Sequence, residues 1–222
     1  MHGYLSSKEA FAAQIAYFSR FYRVTAIDFI GFGESAPLKE AFSVGDYAEW
    51  TREVLSFLDV KTPHVIAHSF GCRVAVKMAG DFVCDDENSP FDKILLTGPA
   101  GVILNRGFSY HVKVCAYRAA KKIAPTWSET HFGSQEYRTL SSVMKESYKK
   151  IVNEDLRDCA QKIKNQVLIV EGEEDETTPM REAQAYLRSF PNGRLCVMNG
   201  GHFAFAEYPA VFNMIAEEFL DG

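Results

Sequence analysis

The chain has 222 residues, of which 47% are hydrophobic and 24% are charged. A chain of this length can bury one substantial core, so we expect one globular domain with an insertion. Its 24 basic and 29 acidic residues give a formal net charge of −5. They form no basic stripe, which argues against nucleic acid and membrane surfaces as partners.

The five cysteines form an odd set without CxxC spacing, which is typical of reduced thiols. The longest apolar stretches are only as long as strands, and the start lacks a basic segment followed by an apolar one. We therefore expect neither a signal peptide nor a membrane-spanning helix, and we predict a cytoplasmic protein. The sequence gives no prediction of oligomeric state.

Apolar runs alternate with amphipathic helical stretches, a pattern typical of β-α-β units wound around a parallel sheet. Ser6–Glu9 resembles a capping box and predicts a first helix that extends to about Phe21. The β-rich run Arg23–Asp28 predicts a strand that ends in a glycine loop. Ser43 predicts the cap of the next helix.

Short apolar runs predict the remaining strands. His64–Ala67 leads into a turn at Ser69 and then a helix, and further strands are expected at residues 94–97, 167–170 and 194–198. Residues 102–163 carry helical, aromatic-rich sequence without a strand pattern, which predicts a helical insertion. Residues 1–101 and 164–222 then form one discontinuous core domain.

Aromatic residues in the insertion recur at spacings that could line one helix face, among them Phe108, Tyr110 and Tyr117. They either pack a small core of the insertion or line a substrate pocket. The spacing fits both interpretations.

Ser69 lies where an apolar strand gives way to a helix, which is the context of a nucleophile elbow. A serine hydroxyl is a weak nucleophile near neutral pH, so it needs an adjacent base and an acid that orients the base. Asp175 and His202 follow later strands, and their loops therefore leave the same edge of the sheet as Ser69. Serine, then acid, then histidine is the order used by nucleophile-elbow hydrolases.

The choice of acid rests on spacing, because the loop also contains Glu171, Glu173, Glu174 and Glu176. Asp28 also ends a predicted strand, but we expect it to bind N–H groups of its own Gly31–Gly33 turn. We interpret Cys72 as a packing residue rather than a nucleophile. His68 is expected to be structural, with its side chain pointing away from the active edge of the sheet.

An oxyanion in this reaction would need two backbone N–H donors. One follows the nucleophile and the other comes from the loop before the first helix, which predicts Phe70 and Tyr4.

Together these motifs resemble the α/β-hydrolase fold superfamily, specifically its single-domain enzymes with a helical lid. His2-Gly3 resembles the HG of the oxyanion loop, residues 28–35 resemble D-x-x-G-x-G-x-S, and residues 67–71 resemble the G-x-S-x-G elbow. Residues 172–175 are similar to the G-x-x-D acid loop, and Gly201-His202 to the terminal G-H. The resemblance implies a doubly wound, mostly parallel sheet of about eight strands, no metal, no cofactor, and an apolar ester or other activated carbonyl substrate held under the lid.

Two features depart from the family pattern. Ala67 stands where the elbow has glycine, and Cys72 where a second glycine often follows. Met1 directly precedes His2, whereas family members begin with a β-hairpin and a central strand, so the sequence as given lacks these amino-terminal strands. We expect the absent strand to leave a gap in the sheet and the chain to fold poorly or aggregate.

The predicted function is therefore a serine hydrolase, with Ser69 as nucleophile, His202 as general base and Asp175 as the orienting acid. A carboxylic ester is the expected substrate. Hydrolysis of carbon–carbon bonds in dienoate-type substrates and a catalytically silent protein on the same fold are the alternatives.

Overall fold

The central sheet is parallel and four-stranded. A computed structural model describes residues 1–82, 89–104 and 140–222 of the chain. Its strands occur in the order β1 (Val65–His68), β2 (Ile94–Thr97), β3 (Val167–Gly172) and β4 (Gly193–Met198). Because each strand runs parallel to the next, all carboxyl ends lie at one edge of the sheet. Within the described residues there are thus four strands rather than the eight implied by the resemblance.

Helices cover both faces of this sheet. In chain order the helical segments are a 3-10 helix (Lys8–Phe11), α1 (Ala12–Phe18), α2 (Val44–Phe57), α3 (Phe70–Phe82), α4 (Ser142–Val152), α5 (Arg157–Ala160), α6 (Met180–Leu187), α7 (Ala204–Glu207) and α8 (Pro209–Asp221). Across the described ranges, no helix is both long and apolar enough to cross a bilayer.

Alternating side chains of β3 divide the apolar interior into two layers. Val167 and Ile169 pack in a core with residues of α2, α3 and α6, whereas Leu168 and Val170 pack in a second core with residues of α1 and α8. The doubly wound α/β architecture predicted from the alternation of apolar and helical segments is thereby confirmed.

The start of α2 is capped by nearby residues, whereas the start of the 3-10 helix is capped by a distant one. Helix α2 begins with the predicted cap, in which Asp46 N–H donates to Ser43 Oγ at 3.2 Å and Ser43 N–H donates to Asp46 Oδ2 at 2.7 Å. The capping box predicted for the first helix is wrong, because that helix begins at Lys8 and Ser7 gives it no side-chain cap. Asp28 takes this role, since its Oδ1 accepts the Lys8 N–H at 2.7 Å.

The strand predicted at Arg23–Asp28 is also wrong. These residues have no regular secondary structure, because a β-rich run becomes a strand only where a neighbouring strand completes its hydrogen-bond ladder. The amino-terminal residues lie between this segment and β1. Phe29 N–H donates to His2 Nε2 at 3.0 Å, and the Met1 amino group donates to the Ile66 carbonyl oxygen at 2.7 Å.

Only the two ends of the predicted insertion, residues 102–104 and 140–163, lie within the described residues. Helices α4 and α5 agree with its predicted helical character, and Val102, Leu156 and Ile163 are buried in the core that contains α3. The aromatic residues of the insertion that the sequence singles out lie outside the described residues. Their role and the boundaries of the lid at 102 and 163 stay predictions.

Gly80 lets α3 pack closely on α5, and this contact is testable. A methyl group at position 80 would lie 2.7 Å from both Cβ and the carbonyl oxygen of Cys159. Overpacking should cost about 1–3 kcal/mol and the helix-propensity gain offsets about 1 kcal/mol of it, so Gly80→Ala should lower the free energy of unfolding by up to about 2 kcal/mol. Thermal unfolding followed by circular dichroism measures the change.

Gly45→Ala in α2 is the matched control. Its methyl group would make ordinary contacts, the shortest at 3.6 Å, so its melting temperature should equal or exceed that of the wild type. Equal melting temperatures for the two variants would contradict the close packing of α3 on α5.

Candidate active site

Ser69 occupies a tight turn between a strand and a helix. β1 ends at His68 and α3 begins at Phe70, so Ser69 alone connects them. Its φ of +49° lies in the left-handed region, which costs a non-glycine residue about 1–3 kcal/mol. The Ser69 N–H secures the turn by donating to the Thr97 carbonyl oxygen on β2 at 3.1 Å. This is the backbone geometry expected of a nucleophile elbow.

His202 and Asp175 are joined by a hydrogen bond of 2.7 Å between His202 Nδ1 and Asp175 Oδ2. The Asp175 side chain is fully buried, and the His202 side chain is 13% exposed. Because an ionised carboxylate only accepts hydrogen bonds, Nδ1 carries the proton and Nε2 is left as the basic nitrogen. In this arrangement a carboxylate orients a histidine for general-base chemistry.

The Asp175 carboxylate is held by its own loop as well as by His202. Its Oδ1 accepts the N–H groups of Thr177 at 2.7 Å and Thr178 at 2.9 Å, and its Oδ2 accepts the Thr178 hydroxyl at 2.9 Å. Burial favours the neutral acid, but the hydrogen bonds from His202 and Thr178 outweigh it and lower the pKa of Asp175 to about 2. Sequence reasoning missed Thr178, because a threonine before a proline is ordinary loop composition.

Burial separates Asp175 from the other acids of its loop, of which Glu173, Glu174 and Glu176 are exposed. Glu171 is fully buried, and neither of its carboxyl oxygens has a hydrogen-bond partner among the described residues. Burial, and after it the negative charge of Asp175, raises the pKa of Glu171 to about 9. Glu171 is therefore protonated at neutral pH, whereas Asp175 is ionised. A glutamate inside the apolar run of β3 is the sequence signal that could have revealed it.

Gly98 brings the serine turn and the histidine together. It follows Thr97, the acceptor of the Ser69 N–H, and a Cβ at Gly98 would lie 3.0 Å from His202 Nδ1 and 3.2 Å from Asp175 Oδ2. Its φ of +51° also favours glycine. In the described part of the chain no hydrogen bond joins Ser69 to the His202 ring. Such bonds are often long without substrate and shorten in the reacting complex.

Main-chain atoms connect the loop that carries Asp175, here called the acid loop, to the loop that carries His202, here called the histidine loop. Glu173 N–H donates to the Met198 carbonyl oxygen and Glu174 N–H to that of Gly200, each at 3.0 Å. Gly172 packs so closely that a Cβ there would lie 2.4 Å from the Gly200 carbonyl oxygen. Backbone contacts between the two loops therefore act together with the hydrogen bond between the Asp175 and His202 side chains to set the distance between these two residues.

The amino-terminal loop passes beside the serine turn, since a Cβ at Gly3 would lie 3.5 Å from Ser69 Cβ. His2 fixes this loop with both ring nitrogens. Its Nε2 accepts the Phe29 N–H at 3.0 Å, so its Nδ1 carries the proton that is donated to the Gly3 carbonyl oxygen at 2.7 Å. Burial lowers the pKa of His2 to about 4, and the ring is neutral at physiological pH.

The two predicted oxyanion donors come from segments that adjoin this loop. Phe70 is the first residue of α3, where N–H groups lack intrahelical acceptors and the helix dipole favours negative charge. Tyr4 directly follows Gly3, and its ring meets that of Phe70 edge-on with centroids 5.5 Å apart. Its hydroxyl donates to the Met144 carbonyl oxygen at 3.0 Å. The geometry brings both residues near Ser69, and their role as donors stays a prediction.

Cys72 and Asp28 make structural contacts. The Cys72 thiol is buried and donates to the Ala67 carbonyl oxygen at 3.2 Å, and burial raises its pKa, which leaves no reactive thiolate. Asp28 Oδ2 accepts the N–H of Glu34 at 3.0 Å, one residue beyond the predicted Gly31–Gly33 turn. Asp28 also binds Lys8 and so ties this turn to the first helical segment.

His68 departs from the expectation that it points away from the site. Its Nε2 lies 2.9 Å from the carbonyl oxygen of His202, and the two rings are 4.7 Å apart. The side chain does lie on the face of β1 that is covered by Phe205. The histidine loop folds over that same face, however, and this contact between distant segments is invisible in the local sequence.

The protonated state of Glu171 predicts a pH-dependent effect of Glu171→Gln. The folded chain retains this proton up to about pH 9, whereas the unfolded chain loses it near the ordinary pKa of 4.5. Unfolding therefore releases a proton between these values, and wild-type stability falls as the pH rises through that window, whereas glutamine has no proton to lose. The melting temperature of Glu171→Gln relative to wild type should rise by about 10 °C or more from about pH 5 to about pH 8.5, because the slope is about 1.4 kcal/mol per pH unit.

Differential scanning calorimetry across this pH range measures the effect. Glu174→Gln is the control, because this exposed glutamate of the same loop should give a difference that does not vary with pH. A pH-independent difference for Glu171→Gln would show that Glu171 is not protonated in the folded protein.

Comparison with known proteins places this geometry in a family. A model described as the alpha/beta hydrolase family matches residues 1–214. An uncharacterized protein of Mycobacterium tuberculosis is 26% identical over 231 residues, which cover 90% of this chain and 68% of that protein.

Two of the similar solved structures are hydrolases. An esterase from Exiguobacterium antarcticum superposes with a TM-score of 0.77 at 20% identity and covers 100% of this chain and 90% of its own. A meta-cleavage product hydrolase from Pseudomonas fluorescens has a TM-score of 0.74 at 20% identity, with 99% and 88% covered. These structures share the fold, and the family model spans nearly the whole chain. The chain belongs to the alpha/beta hydrolase family.

Proposed function

We propose that this protein is a serine hydrolase that cleaves a carboxylic ester or a related activated carbonyl compound. Ser69 is the nucleophile, His202 the general base and Asp175 the acid that orients it. The observation that carries the proposal is the hydrogen bond of 2.7 Å between Asp175 and His202, held beside the left-handed turn of Ser69. Membership of the alpha/beta hydrolase family supports hydrolytic chemistry.

The first half of the reaction transfers the acyl group to the enzyme. Ser69 Oγ attacks the carbonyl carbon while its proton passes to His202 Nε2, and the carbonyl oxygen becomes an oxyanion. Collapse of this intermediate breaks the ester C–O bond, and the proton on Nε2 moves to the departing alcohol. In the second half, water attacks the acyl-enzyme, His202 accepts its proton and returns it to Ser69 Oγ, and the carboxylic acid leaves.

The proposed oxyanion site consists of the Phe70 and Tyr4 N–H groups. The amino-terminal position of Phe70 in α3 supports this role, because the positive end of the helix dipole would stabilise the developing charge. The Tyr4 loop is held by the His2 hydrogen bonds to Gly3 and Phe29, so its donor would be positioned before substrate binds.

A carbon–carbon bond hydrolase acting on dienoate-type substrates is the second candidate. The same three side chains would serve it, and the structural neighbour from Pseudomonas fluorescens carries a name of that class at 20% identity. The test below therefore includes such a substrate.

Ser69→Ala tests the proposal directly. Wild-type protein should react with a fluorophosphonate probe and hydrolyse at least one member of a short-to-long-chain p-nitrophenyl ester series or a dienoate-type ketone. Ser69→Ala should abolish labelling and lower kcat/KM by about a thousandfold or more, because alanine removes the hydroxyl oxygen that attacks the carbonyl carbon. Labelling is read by intact-protein mass spectrometry, and the substrates are followed by absorbance.

Ser19→Ala is the control, because Ser19 is an exposed serine whose side chain donates a long hydrogen bond to the Ala16 carbonyl oxygen at 3.4 Å. It should retain full labelling and turnover. Folded wild-type protein that neither reacts with the probe nor turns over any of these substrates would favour the silent-fold alternative. Labelling that persists in Ser69→Ala would show that another residue is the nucleophile.

A further inference from the structure

His68 connects the serine turn directly to the histidine loop. It is the last residue of β1 and precedes Ser69 in the chain. Its side chain is buried, with 1% of the residue exposed. Nε2 lies 2.9 Å from the carbonyl oxygen of His202, a residue 134 positions further along the chain. One side chain therefore reaches from the neighbour of the proposed nucleophile to the backbone of the proposed base.

The chemistry of this contact determines the state of the His68 ring. A carbonyl oxygen only accepts hydrogen bonds, so Nε2 must carry the ring proton. Nδ1 is then the unprotonated nitrogen, and it has no hydrogen-bond partner among the described residues. Burial, and after it the nearby His202, lowers the pKa of His68 to about 3, so the ring is neutral.

Aromatic packing holds this ring in one orientation. The centroids of Phe203 and Phe205 lie 4.9 and 4.7 Å from that of His68, and Phe205 is fully buried. On another side, Nδ1 lies 2.9 Å from the position that a Cβ would take at Gly3. His68 therefore contacts the amino-terminal loop as well as the histidine loop, and a ring so enclosed has little freedom to leave its hydrogen bond.

The contact supplies a backbone attachment for His202, in addition to the contacts that its ring nitrogen Nδ1 makes with Asp175 at 2.7 Å and with the Thr178 hydroxyl at 3.3 Å. Asp175 binds the imidazole at Nδ1, which sets the tilt of the ring. His68 binds the carbonyl oxygen of the same residue, which sets the position of the backbone that carries the ring. Both attachments are needed to define where Nε2 of His202 lies relative to Ser69. A side chain that is held only at its ring can still shift when its loop moves.

We infer that His68 is a positioning residue that holds the backbone of His202 at the distance from Ser69 at which proton transfer occurs. The inference rests on the proposed function. His68 touches no reacting atom in this scheme, and its effect is exerted through the hydrogen bond from Nε2 to the His202 carbonyl oxygen.

Substitutions at His68 that differ in the presence or the reach of the donor test this role. His68→Gln retains an N–H donor three bonds from Cβ, as in histidine Nε2, whereas His68→Met has a similar length and no donor. His68→Asn places its amide one bond too short to reach. We expect His68→Met and His68→Asn to lower kcat by roughly 10- to 100-fold with KM within about threefold of wild type, and His68→Gln to restore most of the rate.

The measurements separate positioning from folding. Fluorophosphonate titration counts the reactive serines, so that kcat is expressed per active site, and the rate constant of labelling reports activation of Ser69 without reference to any substrate. Thermal melting is recorded for every variant. If His68→Met does not fold, the test is the comparison of His68→Gln with His68→Asn. Both have an amide donor, and they differ in how far it reaches.

Slow labelling and low kcat in His68→Met and His68→Asn, with recovery in His68→Gln, support the inference. Equal values of kcat per active site in His68→Gln, His68→Asn and His68→Met overturn it, whether these values are near that of the wild type or all reduced. Wild-type protein without Ser69-dependent labelling would instead contradict the proposed function, so the two failures are distinguishable.

Discussion

The left-handed backbone at Ser69 is the constraint on which the arrangement of the site depends. A φ of +49° at a residue with a side chain must be stabilised by its neighbours. The Ser69 N–H is bound by Thr97 on β2, and the Ser69 carbonyl oxygen accepts the Cys72 N–H in the first turn of α3 at 3.1 Å. Because β2 also pairs with β3, the strand that leads into the acid loop, the sheet that supports the strained turn also positions Asp175.

Burial and hydrogen bonding give the surroundings of His202 a simple distribution of charge. Burial keeps His2, His68 and Glu171 uncharged at neutral pH, whereas hydrogen bonds keep Asp175 ionised. A second carboxylate beside Asp175 would be costly in a medium of low dielectric, and positive rings near His202 would oppose its protonation. The proposed base therefore has an ionised carboxylate, that of Asp175, in direct hydrogen-bonding contact with its ring.

Features controlled by short-range sequence could be predicted. The cap of α2 joins Ser43 to Asp46, which lies in the first turn of the same helix. The apolar runs identified β1 to β4 and their order along the chain. From that order alone, the loops that carry Ser69, Asp175 and His202 are expected at one edge of the sheet.

Features controlled by contacts between distant residues could not be predicted. The first helix takes its cap from Asp28, 20 residues beyond Lys8. Arg23–Asp28 has β-rich composition but no ladder partner among the described residues, and composition does not report on partners. His68 acquires its contact from a loop 134 residues away. In each case the presence or absence of a contact with a distant residue decided the outcome.

The main-chain contacts between the acid and histidine loops have a consequence for how this site can diverge during evolution. The hydrogen bonds of Glu173 and Glu174 to the opposite loop use backbone atoms, which every residue except proline provides in full. Side chains at these two positions are therefore free to drift, and natural selection can change the charge at the rim of the site without moving Asp175 relative to His202. Gly172 has no such freedom, because any larger residue would push the two loops apart.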